Sequence, residues 1–488
     1  MLFNSLSYLI FFPCVTFIYF LLPHKFRWAM LLLASLYFYM AWKPEYVLLI
    51  LFCIGVNYAA GLILERVDDQ PGRRLVLIAA LTLSLALLFY FKYAEFIAYN
   101  IQRVFNCIGL SYPIGHFSIV LPVGISFFTF QALSYTIDVY LRNIKAERHF
   151  GYFSLFVLYF PQLVAGPIMR ADSLIPQLRE EQRFLPAKAT EGLWLILWGL
   201  FIKTAVADNL AVYVNAVYNN ITAFSGFTIL LATIAFAFQI YCDFAGYSYI
   251  AMGSAKVMGI DLICNFNYPY ISKSIKEFWR SWHISLSTWF RDYVYIPLGG
   301  NRKGDFRKYL NLFITFALSG LWHGAAWNFV IWGTLHGLYL IFENIGTKLW
   351  AKVRPQRMFN ERSLNGVKMV FTFALVCFAW IFFRANSVGD SIYAVSHLIP
   401  TEISWLSFAR AVAAPGIGKV QLAVMTFAMS ILLFVEGLNI WGKASSPRRI
   451  FHEHRAVRWA CYIGLIILMM SIGIKEDGFD ASFIYFQF

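Results

Sequence analysis

A series of long apolar stretches constrains this chain more than any other feature of its sequence. A helix that crosses the hydrocarbon core of a bilayer needs about 20 mostly apolar residues, and stretches near that length recur along the whole chain. They predict roughly ten to twelve crossings. The candidate spans are Ser5–Leu22, Arg27–Trp42, Tyr46–Leu64, Leu75–Tyr93, Ile119–Val139, Gly192–Ala211, Phe227–Met252, Asn311–Trp322, Trp327–Leu349, Val367–Phe383, Val420–Ile440 and Val457–Ile474.

The composition supports this interpretation. Of the 488 residues, 60% are hydrophobic and 14% are charged, and the mean hydropathy is +0.62. A soluble domain could not bury so much apolar surface, so we expect an all-α, polytopic integral-membrane protein whose residues 1–488 form one domain. The net charge of +14 fits loops that contact anionic lipid better than it fits nucleic-acid binding. The seven cysteines are scattered without CxxC spacing, which predicts neither a disulfide framework nor a zinc site.

Basic loops predict the orientation of the spans. Lys and Arg cluster near residues 66–74, 142–148, 256–308, 348–362 and 443–458. If all these loops are cytoplasmic, both termini face outside. Because Met1–Leu22 has no basic n-region and no small-residue cleavage site, we expect it to be a retained span and not a cleaved signal peptide. This orientation requires Tyr152–Met169 to enter the membrane without crossing it. Because Pro161, Gly166 and Pro167 break a helix, we expect a re-entrant segment that is buried in protein.

His323 is the most conspicuous candidate for chemistry. It lies in the apolar stretch Ser319–Gly333, among small residues and tryptophans, with no acidic or basic residue within ten positions. An ionisable group at membrane depth is costly to keep and is treated first as functional, and histidine exchanges its proton near neutral pH. From His323 alone, a structural histidine is nearly as plausible as a catalytic one.

The interruption at residues 256–308 contains an aromatic and basic block that begins at Phe278. Its mixture of tryptophans and arginines predicts an amphipathic helix in the cytoplasmic interfacial layer. His283 and Ser287 are four residues apart and would share one face of that helix. His283 and His323 could then line a single passage. His336 would lie about 20 Å along from His323 if that helix continues, so we interpret it as a packing residue.

The block ends in a basic, glycine-rich turn. Its backbone amides and cations could contact the phosphates of a cytoplasmic donor, although an anionic lipid is at least as good a ligand. The residues predicted for this contact are Arg291, Gly299, Gly300, Asn301, Arg302 and Lys303. Two further polar positions, Asp243 in an apolar helix and Asn265 in a turn before the block, predict a polar cavity. For Asp243 alone, a structural hydrogen-bond anchor is the interpretation that we favour over a functional cavity.

Together these segments resemble the membrane-bound O-acyltransferases, in particular the bacterial branch that includes the alginate O-acetylation and teichoic-acid D-alanyl transfer proteins. The turn Pro297–Arg302 is closer to the polysaccharide-acetylating subgroup. Tyr249 stands where alginate-type members commonly have Asp, which leaves the acceptor open. The resemblance runs through LPVGISFFTFQALSY (Leu121–Tyr135), LYFPQLVAGPIMRADSLIPQL (Leu158–Leu178), the Asp243 segment, NFNYPY (Asn265–Tyr270), the Phe278 block and the WHG of His323.

The resemblance implies a ring of helices around a central funnel in a bacterial plasma membrane. His323 matches the catalytic histidine of the family, and His283 matches its second characteristic polar position. The implied reaction transfers an acyl group, with acetyl favoured, from a cytoplasmic thioester to a hydroxyl of a secreted or wall polysaccharide. The implied donor is acetyl-CoA or an acyl-carrier protein, with no bound cofactor and no metal. An extracytoplasmic SGNH-type transferase is the implied partner.

The tail at residues 475–488 contains one phenol among phenylalanines. Tyr485 could accept the acyl group transiently and pass it to an extracytoplasmic partner, because a hydroxyl next to a histidine base suits covalent catalysis. An aromatic plug at the membrane interface is the alternative, and it is the interpretation that we favour.

Two other functions are compatible with the sequence. A transporter or flippase fits the number of spans, although no repeat symmetry and no paired broken helices in matching halves are evident. A non-catalytic assembly subunit of an exopolysaccharide export system also fits, although a scaffold has no evident need of a histidine in so apolar a helix.

Overall fold

The computed structural model describes residues 1–110, 120–164, 166–353, 361–441 and 455–472, so Tyr485 lies outside the described residues. Within these ranges the chain forms α-helices joined by short turns and no strand, which confirms the all-α prediction. The number of ten to twelve crossings stays a prediction. Six described segments are long and apolar enough to span a membrane: Pro44–Arg66, Gln70–Cys107, Pro186–Tyr218, Phe227–Val257, Ser363–Arg384 and Lys419–Ile440.

The chain divides into two compact units. The first comprises Met1–Ile196 and Ile250–Ile263, and the second comprises Leu197–Tyr249 and Cys264–Phe488. Helices α10 and α12 contribute residues to both. The organisation of residues 1–488 as one domain stays a prediction. His283 and His323 both belong to the second unit.

Helices α1 to α9 belong to the first unit. A π-helical turn, Phe89–Tyr93, joins α4 to α5. The bounds are α1 Leu6–Leu21, α2 His24–Met40, α3 Val47–Arg66, α4 Gln70–Leu88, α5 Ala94–Cys107, α6 Ile125–Tyr140, α7 Phe150–Leu158, α8 Phe160–Leu163 and α9 Ala171–Arg179.

The Tyr152–Met169 segment is broken, as its sequence predicts. α7 ends before Tyr159, which adopts φ −48° and ψ 109°, and α8 begins with a proline in its first turn. Side chains satisfy the interrupted backbone, since the Phe160 N–H donates to Ser35 Oγ at 3.1 Å and the Gln162 amide donates to the Phe156 carbonyl at 2.7 Å. The irregular backbone is therefore buried in protein, which is the condition for keeping it at membrane depth.

The remaining helices build the second unit together with parts of α10 and α12. Two π-helical turns, Phe201–Ala207 and Arg291–Tyr295, follow α10 and α14. The bounds are α10 Pro186–Leu200, α11 Asp208–Tyr218, α12 Phe227–Val257, α13 Ile275–Ser281, α14 Ile284–Phe290, α15 Gly304–His323, α16 Trp327–Val353, α17 Glu361–Arg384, α18 Val388–Ser396, α19 Trp405–Ala413, α20 Lys419–Trp441 and α21 Arg455–Ile472.

α15 and α16 form a tight antiparallel hairpin that positions His323 at its turn. Gly320 and Gly333 face each other, and a methyl group on either would overlap a backbone carbonyl of the opposite helix. At the open end Lys348 pairs with Asp305 at 2.7 Å. Small residues thus let the two backbones approach closely, as they do in membrane helix pairs generally.

Candidate active site

The structure brings His283 and His323 together, although about forty residues separate them in the chain. Their ring centres lie 6.4 Å apart, with the ring planes inclined by 62°. His283 is fully buried and His323 is 3% exposed. The two imidazoles are therefore close enough that a single reacting group placed between them could contact both.

Aromatic rings pack around the two imidazoles. The ring of Phe244 lies 4.5 Å from that of His283, and the rings of Trp332 and Phe383 lie 4.9 and 5.5 Å from that of His323. Burial lowers the pKa of His283 from its ordinary value of 6.5 to about 3, because the charged form loses its hydration. Burial therefore favours the neutral imidazole of His283, whose unprotonated nitrogen can accept a hydrogen bond.

The Phe278 block does not form one amphipathic helix, and that prediction is wrong. α13 ends at Ser281, His283 takes the left-handed conformation at φ 42° and ψ 56°, and α14 begins at Ile284. The tryptophans of the block pack inside the protein, against other aromatic rings. Their exposures are 9% for Trp279, 0% for Trp282 and 6% for Trp289.

Contacts from outside the block hold both short helices. Glu343 of α16 accepts hydrogen bonds from the first two N–H groups of α13, at 2.7 and 3.3 Å. Asn265 does the same for α14, since its carbonyl accepts from the Ile284 N–H at 3.0 Å and its Oδ1 from the Ser285 N–H at 3.3 Å. Asn265, which we predicted to line a polar cavity, is fully buried and caps a helix.

His336 lies closer to His323 than the sequence predicts. The separation of about 20 Å assumed a continuous helix, and it is wrong because α15 ends at His323 and the chain turns back into α16. The Trp332 ring contacts both, 4.9 Å from His323 and 5.1 Å from His336. Trp279 Nε1 donates a hydrogen bond to His336 Nδ1 at 3.2 Å, and this bond together with full burial fits a packing residue.

A buried ion cluster occupies another part of the second unit. The sequence did not lead us to predict its cation, Lys203. Lys203 Nζ lies 2.5 Å from Asp243 Oδ1 and 2.6 Å from Asp208 Oδ1. The three side chains are 2%, 4% and 13% exposed, respectively. Asp243 therefore serves as an ion-pair anchor between helices. The presence of a lysine inside the predicted span Gly192–Ala211 could have indicated such an ion pair, because cations at membrane depth are rare and usually paired.

The basic turn lies at the surface. Gly299 and Gly300 have positive φ values of 112° and 54°, which a side chain would disfavour, and Asn311 anchors the turn by donating to the Gly300 carbonyl at 2.9 Å. Arg291 is paired with Asp292 at 2.7 Å, so its charge is partly neutralised. The exposed polar residues of the turn are Asn301, Arg302 and Lys303.

Comparison with known proteins identifies the family. The family model of the membrane-bound O-acyltransferases matches residues 143–386, which include both histidines. A probable alginate O-acetylase of Pseudomonas putida is 40% identical over 394 residues, which cover 80% of this chain and 78% of that protein. This chain belongs to the membrane-bound O-acyltransferase family. It is therefore an acyltransferase and a multi-pass membrane protein.

Two further relatives show how broad the similarity is. A peptidoglycan O-acetyltransferase of Helicobacter pylori is 34% identical over 398 residues, which cover 76% of this chain and 73% of that protein. A teichoic acid D-alanyltransferase of Bacillus subtilis is 29% identical over 293 residues, which cover 57% of this chain and 73% of that protein. The resemblance to both branches is thus borne out, with greater identity to the O-acetylating relatives.

Proposed function

We propose that this acyltransferase moves an acyl group, most simply acetyl, from a cytoplasmic thioester across the membrane to a hydroxyl of a secreted or cell-wall polysaccharide. The buried His283–His323 pair in a chain of this family carries the proposal. Relatives named for O-acetylation are 40% and 34% identical, whereas the D-alanyl relative is 29% identical, which favours acetyl. The donor, acetyl-CoA or an acyl-carrier protein, is a substrate and not a resident cofactor.

In this proposal His323 acts as the general base. Its neutral imidazole takes the proton of the acceptor hydroxyl while the oxygen attacks the thioester carbonyl carbon. The tetrahedral intermediate then collapses, the C–S bond breaks, and the departing thiolate recovers the proton from the imidazolium. Such proton transfer contributes about 10²–10⁴-fold to the rate. His283, whose ring centre is 6.4 Å away, orients the donor or relays the proton.

The negative charge on the former carbonyl oxygen requires a hydrogen-bond donor. Trp332 is fully buried, with its ring 4.9 Å from that of His323. Its indole Nε1–H has no acceptor among the described residues, whereas a buried indole usually has one. In our proposal this N–H stabilises the oxyanion, the role that usually contributes most to acyl transfer.

The two substrates reach the site from opposite sides in this proposal. The exposed turn of Arg302 and Lys303 would meet the phosphates of the donor on the cytoplasmic face. The acceptor hydroxyl would come from outside, with an extracytoplasmic SGNH-type transferase as the partner and the bacterial plasma membrane as the location. Tyr485 would be the place to look for an acyl relay to that partner.

Proteoliposomes with labelled acetyl-CoA and polysaccharide fragments test the function. Label bound covalently to the fragment is expected, and His323→Ala should reduce its formation by about 10²–10⁴-fold while the protein stays folded. His336→Gln is the matched control, because it changes a buried histidine of the same hairpin and keeps an acceptor for Trp279. A normal rate in His323→Ala would remove His323 as the base, and label or glycan that only crosses the membrane would indicate a transporter.

A further inference from the structure

His283 has an uncommon backbone for a residue that precedes a helix. It is the N-cap of α14 and is left-handed at φ 42° and ψ 56°, a conformation that costs free energy and persists only where its surroundings hold it. An N-cap side chain usually accepts a hydrogen bond from the second or third N–H of its own helix. The imidazole of His283 makes no such bond.

Asn265 supplies the missing cap from another segment. Its carbonyl accepts from the Ile284 N–H at 3.0 Å, and its Oδ1 accepts from the Ser285 N–H at 3.3 Å. Two residues further on, the Asn267 N–H donates to the Ser281 carbonyl at 2.9 Å, at the end of α13. The loop of residues 265–267 therefore bonds to the chain on both sides of His283.

The residue between these two asparagines also builds the wall of the site. The ring of Phe266 lies 5.1 Å from that of Trp282 and 5.0 Å from that of Phe244. Phe244 in turn contacts His283 at 4.5 Å. The same short loop thus determines both the backbone of His283 and the rings against which its imidazole packs.

We propose that Asn265 is a positioning residue that caps α14 in place of His283 and so keeps the His283 imidazole directed at the site. An imidazole that capped its own helix would have to turn toward the Ser285 N–H. Because Asn265 Oδ1 already accepts from that N–H, the His283 imidazole is directed elsewhere, and its ring centre lies 6.4 Å from that of His323. This inference rests on the proposed function, in which His283 takes part in acyl transfer.

Three variants of the loop test the inference. Asn265→Ala leaves the Ser285 N–H without its side-chain acceptor, and we expect kcat to fall by about 10-fold to 100-fold, because the His283 imidazole is displaced from the site. Asn265→Ser keeps a neutral acceptor oxygen in this fully buried position and should retain more of the activity than Asn265→Ala. Asn267→Ala is the matched control, because its side chain is exposed and its bond to Ser281 is made by the backbone.

A double-mutant cycle separates positioning from general damage. If Asn265 acts through His283, adding Asn265→Ala to His283→Gln should cause almost no further loss of kcat. Two losses that multiply would overturn the inference. If Asn265→Ala does not fold, Asn265→Ser, with a shorter acceptor, takes its place in the cycle.

The outcomes of this cycle also distinguish the inference from the function on which it rests. A normal rate in His283→Gln would remove His283 from the proposed chemistry. A low rate in His283→Gln with a normal rate in Asn265→Ala would overturn the positioning role alone.

Discussion

The second unit buries its ionisable side chains in two different ways. His283 and His323 lie among aromatic rings, whereas Lys203 lies directly between two carboxylate groups, at 2.5 and 2.6 Å. An imidazole can be buried in its neutral form and stays available for proton transfer. A buried lysine or aspartate must be paired, and the pairing engages the charge that chemistry would need. Burial alone therefore does not identify a catalytic group. Whether the neighbouring side chains pair with its charge determines whether it is available for proton transfer.

The largest effect is expected when the ion cluster is broken on one side. Lys203→Met leaves two carboxylate groups buried without their cation, which should cost about 3–5 kcal/mol of stability. Thermal unfolding and size-exclusion profiles in detergent measure this loss.

The control for this variant removes all three charges. Lys203→Met combined with Asp208→Asn and Asp243→Asn should recover most of the stability, because no unpaired charge remains. It should also retain acyl transfer. A folded but inactive triple variant would show that the ion cluster is not merely structural, and would contradict its contrast with the proposed catalytic pair.

The next effect concerns Trp332 and should appear in turnover rather than in stability. Trp332→Phe keeps an aromatic ring beside His323 but removes the N–H, and we expect kcat to fall by about 10²–10³-fold. Trp380→Phe is the matched control, because Trp380 stacks on Trp332 at 5.6 Å and loses the same atoms. Equal losses in the two variants would show that ring packing, and not the N–H, matters.

The smallest effect is expected in the pH dependence of stability, which tests whether His283 is buried in its neutral form. Burial lowers its pKa from 6.5 to about 3, so between these values the unfolded chain binds a proton that the folded chain does not. Stability should therefore fall as the pH falls below the unfolded value, by about 1.4 kcal/mol per pH unit.

The comparison with His283→Gln isolates this contribution, because the other histidines titrate in both proteins. Between about pH 7 and pH 5.5 the unfolding temperature of the wild type should drop further than that of the variant. Equal drops would show that His283 accepts its proton in the folded state, like an exposed histidine.

Local features of the sequence predicted much of the fold. The predicted span Phe227–Met252 begins where α12 begins and ends five residues before α12 does, and Trp327 begins α16 as expected. Apolar length is a local property, so a span can be predicted without knowledge of its neighbours. The break near Pro161 was predictable for the same reason, because proline acts on its own helix.

The features that could not be predicted depend on contacts between segments that are distant in the sequence. No glycine or proline marks the break at His283, which hydrogen bonds from Asn265 hold in place. The chain turns back into α16, so His336 and His323 contact the same ring, that of Trp332. A helical repeat extended past His323 could not predict that turn. Only the pairing of His283 with His323 was anticipated.

The close contact of Gly320 with Gly333 has a consequence for the membranes in which this enzyme works. Spanning helices tilt when the thickness of the bilayer changes with temperature or lipid composition. Because backbone meets backbone in this hairpin, α15 and α16 should move as one body when neighbouring spans tilt. His323 and Trp332 would move together, so the spacing between the proposed base and the proposed oxyanion donor would survive a change of lipid.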